Sequence, residues 1–347
     1  MTAVLCLLNP HAQGGRLRRL SPALAQAVAQ HAPAARWAVP ETLPQALDLL
    51  HALPRGSRVV ALGGDGTVNR WLPALLERGH MLGLVPLGSG NDLARALGVF
   101  GLPWTEALEC ALTSAAVPMD VGLVEVPAGE GSAGVEDPGT AHHPRAKPFH
   151  VPFLSSLAAG FDASVGLRAL RGPRWLRGQP RYLWATLQEL VHLRSWGLRI
   201  ECDGGAPDGE GERLGSGSPG QGDAASTWQG RVLLASTLNT RSYGSGMPAA
   251  PHACIDDGRM ELLRAQALGR AGVLTLLPRL LRGTHLSDRR VSLQSFQTLQ
   301  VRAEDPVPLA VDGEFLGEFR RFAVRVLPGG LQVVRATQTP DSGKWLR

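Results

Sequence analysis

Lysine is almost missing from this chain. Two lysines, Lys147 and Lys344, stand among 35 basic residues, so nearly all the positive charge is arginine. No lysine precedes Lys147, which excludes a G-x-x-x-x-G-K-[ST] phosphate loop in that stretch. Cysteine is also scarce. Cys6, Cys110, Cys202 and Cys254 are scattered and form no Cys-x-x-Cys pair. A disulfide framework or a zinc knuckle is therefore not expected, and a reducing compartment is. No apolar run approaches the roughly 20 residues that span a bilayer. No basic leader stands before the short apolar stretch of MTAVLCLLNP, so a secretory signal is not expected. No internal repeat is found.

What is present describes a globular chain. Hydrophobic residues make up 44%, which separates it from disordered sequences. At about 150 residues per domain, 347 residues imply two domains. The net charge of +5 suits a phosphate-bearing partner: nucleotide, nucleic acid or anionic membrane. Charge alone does not choose among them.

The first 120 residues alternate strand and helix signals. Strands are predicted at Ala3–Leu8, Arg36–Val39, Arg58–Leu62 and Met81–Pro86. Helices are predicted at Leu17–His31, around Leu43–Leu50, after Thr67 as cap, and at Asp92–Leu97. Alternation of this kind gives an α/β domain with a mostly parallel, Rossmann-like sheet. From about Val117 apolar runs follow one another: Val117–Val126, Phe149–Ala158, Gly197–Cys202, Gly230–Leu238, Arg259–Arg264, Val291–Val301, Val307–Val311 and Phe322–Val334. They predict a mainly antiparallel β-sandwich, interrupted by helices at Arg181–Trp196 and Arg270–Arg282. The expected domains are 1–120 and 121–337. Low-complexity inserts fall at 127–148 and 204–229, and the tail 338–347 is a candidate for return to the first domain.

Three glycine-rich turns fall where an open parallel sheet binds ligands, after strand ends. They are Asn9 to Arg16, Gly63 to Asn69, and Pro86 to Asp92. Glycine lets backbone approach a phosphate, and a following helix N-terminus offers amides and a positive dipole end. The second turn lacks the G-x-G-x-x-G spacing and holds a carboxylate, Asp65. An acid beside polyphosphate is unfavourable unless it serves a metal or a proton, or merely stabilises the turn.

Gly63-Gly64-Asp65-Gly66-Thr67, Gly88-Ser89-Gly90-Asn91-Asp92-Leu93-Ala94 and Met119-Asp120-Val121-Gly122 together resemble the diacylglycerol kinase catalytic domain, a family related to sphingosine and ceramide kinases. Asn239-Thr240, Pro248, Pro251, Ala253 and Ile255-Asp256-Asp257-Gly258 extend the likeness, and Asp312-Gly313-Glu314 resembles its last acidic motif. The resemblance implies roles. Asn9, Pro10 and Gly14 form a first nucleotide loop, with Arg16 in place of a basic residue the family carries there. Thr42 is a further nucleotide contact. Gly63, Gly64, Asp65, Gly66, Thr67, Val68 and Asn69 cradle phosphates, and Ser89, Asn91 and Asp92 line the same cleft. Asp257 is the metal-binding acid, with carbonyls of Cys254 and Arg259 completing a Mg²⁺ site that Asp65 and Asp120 join through water. Asp312 and Glu314 stand where the family has its base, and Asp65 is the rival base. Arg70 departs from the family, which usually carries glutamate there.

The implied function is an ATP- and Mg²⁺-dependent lipid kinase acting on a diacylglycerol-like hydroxyl. Two alternatives stay open: a small-molecule kinase of the NAD-kinase-like group, which shares the Gly-Gly-Asp-Gly-Thr turn, and a non-catalytic lipid-binding regulator. The expected partner is lipid at a membrane surface, with no nucleic acid and with a homodimer as a candidate state. The expected location is cytoplasmic and peripherally membrane-associated. Arg168, Arg171, Arg174, Arg177 and Arg181, interleaved with apolar residues, read either as a lipid-headgroup surface or as a solvated segment. Trp184, Leu187, Leu190 and Val191 are expected in the core, and His142-His143 as a solvated pair in an insert.

Overall fold

The computed structural model describes residues 3–88, 90–130, 147–173, 176, 179–203, 212–213 and 226–336. They divide into two compact units, 1–120 with the returning segment from Pro328, and 121–327. In the first unit β1 (Val4–Leu8) leads through a 3-10 helix (Ala12–Arg19) to α1 (Ser21–His31). β2 (Arg36–Ala38) precedes α2 (Leu43–Ala52), and β3 (Arg58–Gly63) precedes α3 (Asp65–Arg78). β4 (Met81–Pro86) precedes α4 (Asp92–Ala96) and α5 (Trp104–Thr113). β3 pairs in parallel with β1 and β4, and β1 with β2. Five of the six residues of β3 are buried, as in strands covered on both faces.

The second unit takes up the chain within β5 (Ala116–Val126). It continues through β6 (Phe149–Phe153), β7 (Ser156–Ala159), α6 (Phe161–Leu170), α7 (Gln179–Glu189) with a 3-10 extension (Leu190–His192), β8 (Trp196–Cys202) and β9 (Glu212–Arg213). β10 (Ser226–Leu238), β11 (Met260–Gln266), α8 (Arg270–Leu281), β12 (Val291–Phe296), β13 (Thr298–Val311) and β14 (Glu314–Val334) follow. The long strands β10 and β13 each pair antiparallel with β8 at one end and β7 at the other. This is the expected antiparallel sandwich.

Several expectations change. The second domain does not run to 337: Gln332 and Val333 pair in parallel with Met81 and Leu82, so the chain re-enters the first unit at Pro328. The tail 338–347 lies outside the described residues, as do His142 and His143. α3 starts at Asp65 behind Gly64, two residues before the expected Thr67 cap. α5 and α6 were not expected; their buried faces are Ala107, Leu108 and Ala111, and Phe161, Ala163, Val165 and Ala169. Such small residues give little periodic signal. Leu187 and Val191 are exposed, not core, while Leu190 is buried.

Gly160 holds the start of α6 against β10. Its φ is 103°, and a Cβ there would stand 2.8 Å from the Leu233 carbonyl oxygen. This close approach lets Asp162 Oδ2 accept from Ser236 Oγ at 2.5 Å, while Oδ1 accepts from the Ala163 amide. The residue keeps some solvent exposure, but its carboxyl is packed among these neighbours. Burial pushes the carboxyl up to about 6, against the lowering effect of the Ser236 and Tyr243 hydrogen bonds. A raised acid contributes its stability in full below its unfolded value of 3.8 and loses it as pH rises through about 6. The loss is at most about 3 kcal/mol, less what solvent screens at the partly exposed group. The stability advantage of Asp162→Asn over the parent should therefore grow by about 1–2 kcal/mol from pH 4.5 to 7.5. Urea unfolding across that range measures it, and a constant difference would count against a raised Asp162.

Candidate active site

In the first unit the three glycine-rich turns are locked together by main-chain and side-chain contacts. Gly64 and Gly88 touch backbone to backbone: a Cβ on Gly64 would stand 2.7 Å from Gly88 Cα, and one on Gly88 would stand 2.5 Å from Gly64 Cα. The Leu87 amide donates to the Gly63 carbonyl at 2.7 Å. Asp65 Oδ2 accepts from the Asp92 amide at 2.9 Å, so the acid of one turn caps the helix that follows the other. Asn91 takes the left-handed conformation, φ 60°, and its Nδ2 donates to the Gly88 carbonyl. Asn9 Nδ2 donates to Thr67 Oγ1 at 2.8 Å, which attaches the end of β1 to α3.

These contacts sort the expected nucleotide residues. Thr67 and Val68 are buried, and Thr67 Oγ1 accepts from Asn9, so both hold the turn. Pro10 is buried as well. Thr42 caps α2, accepting from the Gln45 amide at 3.4 Å. Its neighbour Glu41 reaches the first turn, because the Glu41 carbonyl lies 2.9 Å from His11 Nε2. Gly66 and Asn69 are half-buried in the first turns of α3. The first loop is helical at Gly14 and Arg16; the Arg16 side chain and all of Ser89 lie outside the described residues.

Arg95 was not anticipated. Its guanidinium stacks on Phe100, with Cζ 3.5 Å from the ring centroid. Burial lowers its proton affinity, while the charges of Asp92 and Asp65 act in the opposite sense. A cation therefore lies near enough to the two acids of the cradle to offset part of their repulsion toward an anionic ligand. Its place four residues after Asn91 was a visible signal, but nothing in the sequence tied it to Asp65.

In the second unit Asp312 and Gly313 both have positive φ, 46° and 89°, and form the hairpin turn between β13 and β14. The Asp312 carboxylate accepts three amides: Leu154 at 2.9 Å, Ser155 at 2.8 Å and Ser156 at 2.9 Å. This explains why the expected strand Phe149–Ala158 breaks into β6 and β7. Asn239 completes the clamp, donating from its amide to Ser155 O at 2.9 Å and from Nδ2 to Leu154 O at 2.8 Å. Glu314, half-buried, opens β14 next to this clamp. Asp120 is buried in the first unit and accepts from the Gly329 amide at 2.8 Å, which secures the chain's return.

The expected metal residues form a turn in which Asp257 Oδ1 accepts from the Arg259 amide at 3.0 Å. Among the described residues no three His, Cys, Asp or Glu side chains cluster as a metal site. The donor chemistry nevertheless suits a hard cation. Glu261, also unanticipated, is half-buried; burial and the negative charge of Asp257 raise its carboxyl. Two carboxylates that repel each other, beside turn carbonyls at Cys254 and Arg259, fit an oxygen-liganded Mg²⁺.

Residues 3–124 match the diacylglycerol kinase catalytic domain, and residues 155–335 match the YegS C-terminal NAD kinase beta sandwich-like domain. A diacylglycerol kinase of Mycobacterium tuberculosis is 29% identical over 83% of this chain and 80% of its own. That of Bacillus subtilis is 25% identical over 77% and 74%. A crystal structure of a diacylglycerol kinase from Bacillus anthracis superposes with a TM-score of 0.66 at 18% identity, covering 96% of this chain and 97% of the other. That likeness establishes the fold. The second match alone covers more than half of the sequence, and the two in order span both units. The chain belongs to the diacylglycerol kinase catalytic-domain family, with a C-terminal domain of the YegS type.

Proposed function

We propose that this protein is an ATP- and Mg²⁺-dependent lipid kinase, moving the γ-phosphoryl group of ATP to the hydroxyl of a diacylglycerol-like lipid. The interlock of the three turns is the observation that carries the reading. Gly64 and Gly88 in backbone contact hold the N-terminus of a 14-residue helix, α3, at the end of β3. Amides and a positive dipole end, fixed there without side chains in the way, suit a polyphosphate. The names of the relatives support a lipid acceptor.

Transfer needs positioning, charge neutralisation and a base. The α3 N-terminus binds the phosphates, and Arg95 offsets Asp65 and Asp92 in part. Asp257, Glu261 and the carbonyls of Cys254 and Arg259 would hold Mg²⁺, which would supply positive charge to the oxygens around it, as a structural or a catalytic ion. The lipid oxygen bonds to the γ-phosphorus, the bond to the ADP oxygen breaks, and the hydroxyl proton passes to a carboxylate. Three amides on its carboxylate stabilise the charged form of Asp312 and make it the poorest base of the three candidates; we favour Glu314, with Asp65 as its rival.

Three outcomes test this. Glu314→Gln should keep ATP affinity and lose about 10² to 10⁴ in turnover. Asp312→Asn should instead lose about 1–3 kcal/mol of stability, because an amide nitrogen replaces an acceptor facing backbone donors. Turnover of labelled ATP and thermal unfolding separate the two, and full activity in Glu314→Gln would remove it as the base. Gly88→Ala should weaken ATP binding about tenfold or more, since the new methyl drives the turns apart. Unchanged ATP titration would sink the cradle. Asp257→Ala should weaken Mg²⁺ in calorimetry and bring the Glu261 titration to lower pH in the metal-free protein. If neither quantity moves, the metal binds elsewhere.

A further inference from the structure

Two stretches of the second unit carry no acid at all. Ala163 to Gln188 holds five arginines and no Asp or Glu; Leu262 to Ser287 holds four arginines and none. They cover α6 after Asp162, α7 up to Glu189, and all of α8. Of the four acids that bound these stretches, Glu189 accepts from Arg168 at 2.6 Å, Asp288 is held by Arg290 at 2.7 Å and Arg279 at 3.4 Å, Asp162 accepts from Ser236, and Glu261 is half-buried in β11. Exposed large apolar side chains concentrate on the same helices. Leu183, Leu187 and Val191 recur every fourth residue along α7 and its 3-10 extension, with Val191 62% exposed. Leu274 and Leu281, seven apart on α8, are 48% and 42% exposed. Arg270 ties these elements together, donating from Nε to Leu190 O at 3.1 Å and from Nη2 to Val191 O at 3.0 Å. The first turn of α8 is therefore fixed beside Val191. Exposed Arg171, Arg194 and Arg282 lie on the same segments.

We propose that this face, α7 with its extension and the outer side of α8, docks on an anionic lipid bilayer. Leucine and valine side chains that stay in water cost free energy, which insertion below the headgroups recovers. Arginines at the margin meet anionic headgroups, worth about 1 kcal/mol each near the surface. A second copy of this chain is the competing occupant. It would bring the arginines of these acid-free stretches against one another, and like charges would oppose it. Charge complementarity therefore favours the bilayer. The inference deepens the lipid-kinase reading, because a water-insoluble acceptor resides in the membrane, but the docking is independent of chemistry.

The test uses the full chain with vesicles of phosphatidylcholine, with and without phosphatidylglycerol, in sedimentation assays without ATP. The parent should bind the mixed vesicles, bind the neutral ones far less, and lose affinity as salt is raised. Leu187→Gln with Val191→Gln, and separately Leu274→Gln, should each weaken binding about tenfold or more. Their unfolding temperatures should match the parent, since these side chains are exposed. Their rate on a dispersed short-chain diacylglycerol should also match the parent. Equal vesicle binding by parent and variants, or equal binding to neutral vesicles, overturns the proposal. So does a parent dimer in light scattering that the same substitutions dissociate without vesicles, since the face then joins two copies. A parent that binds vesicles but phosphorylates no diacylglycerol leaves docking standing and refutes the kinase reading instead.

Discussion

A carboxylate accepting a backbone amide recurs wherever this chain changes direction at a motif. Asp65 takes the amide of Asp92, Asp120 that of Gly329, Asp257 that of Arg259, and Asp312 those of Leu154, Ser155 and Ser156. Asp203 does the same for Gln297 and Thr298 where β12 gives way to β13. Where β6 gives way to β7 and β12 to β13 the ladder ends and amides lose their strand partners. A buried amide without an acceptor costs free energy comparable to a lost hydrogen bond. A charged acceptor fills the gap with a stronger bond than a neutral one.

This constraint separates scaffold from chemistry among the motif acids. Family motifs mark Asp65, Asp120, Asp257, Asp312 and Glu314 alike, because a residue essential for a turn and one essential for a reaction leave the same mark. Asp65, Asp120, Asp257 and Asp312 each hold a backbone amide. Glycine shows the same division. Gly64 has φ −124°, which any residue tolerates, so its requirement is steric, set by Gly88 on the facing turn. Gly160 is required for both reasons, a left-handed φ and the Leu233 carbonyl beside it.

The architecture was legible in the sequence where a period was strong. The four predicted strands of the first unit match β1 to β4 within a residue or so, since parallel strands covered on both faces read as continuous apolar runs. The sandwich was legible as a class, but its breaks were not. Phe149 to Ala158 and Val291 to Val301 look continuous because the signal for each break is a carboxylate more than 90 positions away, Asp312 for Leu154 and Asp203 for Gln297. The return of the chain at Pro328 was missed for the same reason, as Gln332 pairs with Met81. In the site, the glycine turns and the Asp-Gly-Glu tip were found by motif. Arg95 and Glu261 were not, since each matters only through charges placed near it by the fold.

The misplacement of Leu187 and Val191 has a different origin. Apolar residues at helical spacing show that one face of a helix avoids water, and the expectation assigned that face to the core. α7 has two apolar faces: Ala185 and Leu190 turn inward, while Leu183, Leu187 and Val191 turn outward. Periodicity cannot tell a protein interior from a membrane, because both are apolar. Charge can. A helix that merely covers a core needs solvating residues of either sign on its outer side, and natural surfaces intersperse acids with bases. The exposed large apolar side chains of α7, its extension and α8 are leucine and valine, and the flanking acids Glu189 and Asp288 are paired to arginines. That one-sided charge, present in the sequence before any fold is known, is what supports reading the face as a docking surface for anionic lipid.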